Sequence, residues 1–120
     1  MYTSQKTLYR IEEDVTKLSL SYPELYEHIK HVTSLTRQMQ VPYMYLADLI
    51  TDDSKEPKPK FIRPSVLNVL ISEVKQLKER PYFNAFLKLI QNNRYKDAPE
   101  IFLLILGAKP EALANNAIIK

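Results

Sequence analysis

The sequence predicts an all-α fold, a compact bundle of five to seven short helices joined by Pro-containing turns. Three observations predict it. The chain has one glycine, Gly107, where sheets and Gly-rich phosphate loops need several residues at positive φ. Several of its eight prolines stand where a helix would begin. Apolar residues recur at three- and four-residue spacings over most of its length, the period of a helix with one buried face. At 120 residues a single helical domain, 1–120, is expected, large enough to bury a core without disulfides or metal.

Over residues 4–20, Leu8, Ile11, Val15 and Leu18 form a narrow apolar stripe that Tyr22 extends. Glu12, Glu13 and Asp14 lie mostly off it and read as solvated. Ser21-Tyr22-Pro23-Glu24 then reads as a helix start. The Ser21 hydroxyl would cap a free N–H, Glu24 would complete the capping box, and Pro23 suits the first turn. The second helix presents Leu25, Ile29, Val32, Thr36 and Met39. It should end near Gln40, because Pro42 disfavours helical geometry at Val41. So short a break between two helices predicts an antiparallel hairpin.

Pro42 opens a shorter helix to Ile50, with Leu46, Leu49 and Ile50 inward. Residues 51–64, TDDSKEPKPKFIRP, hold three prolines, seven charges and no helical period, so an exposed Pro/Lys-rich loop is expected. Residues 65–80 carry Leu67, Leu70, Ile71, Val74 and Leu77, an amphipathic helix. Pro81 starts another, with Phe83, Phe86, Leu87 and Ile90 inward, ending near Asn92-Asn93. Asp97-Ala98-Pro99-Glu100 repeats the capping logic before residues 101–106, which are apolar all round and should be the buried central element. Gly107 is the expected C-terminal cap of that helix, and Pro110 opens a last segment.

Composition removes whole classes of function. The absence of cysteine excludes disulfides, thiolate catalysis and Cys-based zinc sites. The longest apolar run has six residues, against roughly 20 needed to cross a bilayer. The N-terminus lacks the apolar core of a signal peptide. A cytoplasmic protein without membrane association is therefore expected. No Gly-rich phosphate loop, nucleophile elbow or serine triad spacing occurs, so the expected function is not enzymatic and no cofactor is expected.

Charge is distributed unevenly. Residues 55–96 hold ten basic side chains against three acidic ones, whereas the rest of the chain holds seven against eleven. A field this lopsided attracts acidic partners. Lys75 and Lys78 share a helix face away from the apolar stripe, Arg80 precedes Tyr82, and Arg94 and Lys96 flank Tyr95. Cations neutralise phosphates and an exposed ring stacks on an unpaired base. The leading expectation is thus a small helical binding protein that engages a polyanion, RNA or DNA, through segment 55–96. Lys58, Lys60, Arg63, Lys75, Lys78, Arg80, Arg94 and Lys96 would contact phosphate, and Tyr82 or Tyr95 would stack. The alternative is a protein-interaction module for an acidic protein, or a homo-oligomeric adaptor, with no nucleic-acid role.

Other patterns weigh less. Residues 99–120 read as helix, glycine turn, helix, but the second helix has few cations and the arrangement is ordinary in bundles. Glu24, His28 and His31 share one flank of a helix, yet no Glu-x-x-His signature of a di-metal bundle occurs. Glu24–His28 and Glu27–His31 therefore read as surface pairs at i, i+4, and no metal is expected. Tyr9 and Tyr26 fall off their apolar stripes. Either they serve an interface, or they edge the core with wet hydroxyls.

Overall fold

The computed structural model describes residues 5–51, 63–92 and 98–113, and these form an all-α bundle. Among the described residues six helices follow one another: α1 Gln5–Ser21, α2 Pro23–Gln38, α3 Tyr43–Thr51, α4 Pro64–Lys78, α5 Phe83–Asn92 and α6 Ala98–Ile105. Residues 110–113 begin a further helical turn. Thr51 ends α3 and Pro64 opens α4, so most of the Pro/Lys-rich loop lies outside the described residues.

The apolar stripes are the buried faces. Leu8, Ile11, Val15 and Leu18 of α1 meet Leu25, Ile29 and Val32 of α2 in one continuous core. Leu46, Leu49 and Ile50 of α3, Leu67, Leu70, Val74 and Leu77 of α4, and Phe83, Phe86 and Ile90 of α5 complete it. Leu89 is buried on α5, and Leu87 packs only partly against the core. On α6, Ile101, Phe102, Leu104 and Ile105 are buried, and the helix packs against α1, α2 and α3. The apolar run is thus a central element. α2 also packs on α4, and α3 touches both α4 and α5.

Two buried polar residues on α2 cost little. Thr33 Oγ1 donates to the Ile29 carbonyl at 2.7 Å and Thr36 Oγ1 to Val32 at 2.8 Å, so each hydroxyl is satisfied within its own helix. Tyr26 is half-buried, and its hydroxyl donates to the Ile105 carbonyl at 3.0 Å. Tyrosine here edges the core with a bonded hydroxyl, and burial raises its pKa. Tyr9 stays more exposed and donates to the Glu111 carboxylate, tying α1 to the turn at 110–113.

The capping box at Ser21 does not form. α1 runs on through Ser21, so Tyr22 becomes the N-cap of α2, with Pro23 following and no side-chain cap bond. The Tyr22 N–H bonds back to the Leu18 carbonyl, and the Tyr22 carbonyl accepts from Tyr26 N–H, both at 2.9 Å. One residue serves two helices, and Ser21, absorbed into the last turn of α1, no longer stands at the N-cap of α2.

Helices α2 and α6 end alike. After α2, Gln40 N–H bonds to Arg37 O and Val41 N–H to Thr36 O. After α6, Gly107 N–H bonds to Leu104 O and Ala108 N–H to Leu103 O. Both are Schellman ends, which need positive φ at the turning residue. Gly107 adopts φ 102 as expected, whereas Gln40 adopts φ 58 without being glycine.

Phe102 is fully buried, with ring centroids 5.6 Å from Tyr43 and 6.4 Å from Phe86. Phe102→Ala is expected to lower stability by about 3–5 kcal/mol in urea unfolding. Val69→Ala, on the exposed face of α4, is expected to change it by less than about 0.5 kcal/mol.

Candidate nucleic-acid interface

Two proline corners meet in space. The first is Tyr22-Pro23, between α1 and α2, and the second is Pro81-Tyr82, between α4 and α5. The second is the more unusual. The Phe83 N–H bonds to the Arg80 carbonyl at 3.3 Å, closing a four-residue turn with Pro81 second and Tyr82 third. Tyr82 has φ 66. Proline second and positive φ third is the pattern of a type II turn, whose third position ordinarily takes glycine or asparagine. Holding a bulky L-residue there costs roughly 1–2 kcal/mol.

The Tyr82 side chain is not buried in return. It is 66% exposed and stacks on Tyr22, with ring centroids 4.7 Å apart and planes inclined by 21°. A cleft of about 260 Å³ opens beside the pair, lined by Ser21, Tyr22, Pro23, Glu24, Leu25, Arg80, Pro81 and Tyr82. A second cleft of about 270 Å³ adjoins it through Ser21 and Tyr22, and adds Asp14, Lys17, Leu18, Ala85, Lys88 and Leu89. Together they form a groove between the α1–α2 corner and α5.

A polar cluster holds the two corners in register. Arg80 Nε donates to His28 Nδ1 at 2.8 Å, joining the α4–α5 turn to α2. That bond requires an unprotonated Nδ1, so the neutral ring carries its proton on Nε2. Nε2 lies 3.9 Å from Glu73 Oε1 on α4, and His31 Nε2 lies 3.7 Å from the same oxygen. His28 is only 11% exposed. Burial pushes its pKa below the usual histidine value, and the Arg80 charge adds to the fall against the opposing pull of Glu73. The expected surface pairs Glu24–His28 and Glu27–His31 do not form, because α4 brings Glu73 and Arg80 to the histidines. No group of three His, Cys, Asp or Glu side chains among the described residues is set to hold a metal.

The expected site residues divide clearly. Lys58, Lys60, Arg94, Tyr95 and Lys96 lie outside the described residues. Arg63 precedes α4, whereas Lys75 and Lys78 occupy its last turn, roughly 18 and 22 Å away along the axis at about 1.5 Å per residue. Lys75 and Lys78 thus stand at the end of α4 that leads into Arg80 and Tyr82. Arg80 and Tyr82 line the cleft and the lysines do not, and Arg63 stands at the far end. Both lysines also favour the negative pole of α4. Glu79, exposed at the cap of α4, offsets one charge of this set. Sequence reasoning missed Tyr22 and Lys88 as site residues, although the mirrored Tyr-Pro and Pro-Tyr pairs were visible.

No family model, curated protein or solved structure matches the chain. Among the described residues, no helix is long and apolar enough to cross a membrane.

The lowered His28 pKa has a consequence for stability. The unfolded chain takes up this proton near pH 6.5 and the folded chain only at lower pH. Stability from this group is therefore complete above pH 6.5 and is lost as pH falls through that value toward the folded pKa. Urea midpoints are expected to fall between pH 7 and pH 5.5, and less steeply in His28→Gln, which keeps an acceptor for Arg80 without titrating. An equal slope in both proteins would assign it to other groups.

Proposed function

We propose that this chain is a small non-catalytic binding protein for single-stranded nucleic acid, engaged at the corner where Tyr22 and Tyr82 stack. One observation carries the reading. Tyr82 keeps a strained left-handed backbone at a glycine position while its ring stays 66% exposed. Strain that buys no burial points to a ring kept for a ligand. The exposed Tyr82 ring, stacked on a half-buried Tyr22, offers a face to an unpaired base, which a duplex cannot supply without unstacking. Arg80 lines the same cleft, and Lys75 and Lys78 stand at the end of the preceding helix, where phosphates would be neutralised.

The alternative, a surface for an acidic protein, would use the cations but has no need of the stacked pair. Tyr82→Gly separates the two. Glycine relieves the left-handed strain while losing the ring contact, each worth about 1 kcal/mol, so the variant should stay folded. Its affinity for a labelled single-stranded octanucleotide is expected to fall about ten- to a hundredfold. Charge reversal at Lys75 and Lys78 should weaken binding to every sequence and flatten the dependence of log K on log salt, each phosphate contact contributing about 0.7 to the slope. Wild-type protein that binds no oligonucleotide at low salt would overturn the reading.

A further inference from the structure

The groove beside the tyrosine pair has unlike walls, and resting on the reading above, we propose that this asymmetry orients the strand and selects its bases. On the α5 side stand Arg80 and Lys88. On the α1–α2 side stand Asp14 and Glu24, joined by Lys17, which pairs with Glu13 at 3.4 Å on its own helix. Asp14, Glu24 and Lys88 have no side-chain partner among the described residues. Two open carboxylates on one wall repel a phosphate, so the sugar–phosphate backbone runs along Arg80 and Lys88. The base edges then point at Asp14 and Glu24.

A carboxylate only accepts hydrogen bonds. Adenine, cytosine and guanine carry exocyclic amino groups that can donate to it, and cytosine N4 is a known partner of acidic side chains. Uracil and thymine present a carbonyl oxygen at C4 where cytosine carries its amino group, and their one edge donor, N3–H, is flanked by two carbonyl oxygens that meet a carboxylate with like partial charge. The site therefore takes single strands of amino-bearing bases and disfavours uracil and thymine. Cytosine against uracil is the clean comparison, because the two rings have the same size and differ little in stacking.

The experiment measures binding of labelled (C)8 and (U)8 RNA at pH 7.5 to the wild-type protein and to the double variant Asp14→Asn, Glu24→Gln. An amide both accepts and donates, so it serves either base. Wild type is expected to bind (C)8 about fivefold or more tightly than (U)8, one contact of the cytosine type being worth at least that factor. In the variant the ratio should collapse toward one, with (U)8 gaining affinity. Equal binding of both oligomers by wild type, or a preference that survives the substitutions, overturns the inference while the single-strand reading stands. Failure of wild type to bind either oligomer overturns both.

Discussion

A chain with one glycine still has to turn sharply, and that constraint shapes this molecule. Among the described residues, three turns pass through positive φ, at Gln40, Tyr82 and Gly107. Gly107 does so without strain, and a side chain there would meet open space. Gln40 is held by the two bonds of a Schellman end, so its local cost is offset by capped carbonyls. Tyr82 has one closing bond in its turn and a ring left largely in solvent. All three cases use positive φ, and Tyr82 differs from the others in stacking its ring on Tyr22 while leaving it largely in solvent.

The corner is built from contacts between distant parts of the chain. Arg80 reaches His28 across 52 residues, and Tyr22 meets Tyr82 across the same α2–α4 packing. The proline at each corner sets direction locally, while the histidine–arginine bond and the ring stack set the two corners against each other. A histidine with a lowered pKa is suited to this role, because it remains a neutral acceptor near neutral pH. Stability and the geometry of the groove are thereby joined through one side chain.

Much of the fold was legible in the sequence because it is written in local periodicity. Leu8, Ile11, Val15 and Leu18 on one helix and Leu67, Leu70, Val74 and Leu77 on another are buried as their spacing required. Pro42 and Gly107 marked helix ends through their own backbone chemistry. What failed was non-local. Ser21 had the spacing of a cap but was absorbed into α1, and the histidines found partners on α4 instead of on their own helix. Of the expected site, charge clustering grouped Arg63 with Lys78, which stand at opposite ends of α4, since distance in sequence and distance along a helix are different quantities. The mirrored Tyr-Pro and Pro-Tyr pairs stood in the sequence, but the stacking of Tyr22 on Tyr82 is a contact across 60 residues that no local pattern carries.

The central claim is that the Tyr22–Tyr82 pair is the contact surface for unpaired bases. It is tested most directly by following the tyrosine ring resonances by NMR while a single-stranded octanucleotide is added. The account expects ring-current shifts concentrated on Tyr22 and Tyr82, with Tyr26 and Tyr45, which line neither cleft, nearly unmoved. Binding that leaves both corner rings unshifted and perturbs other tyrosines would contradict it, and would place the ligand on another face of the bundle.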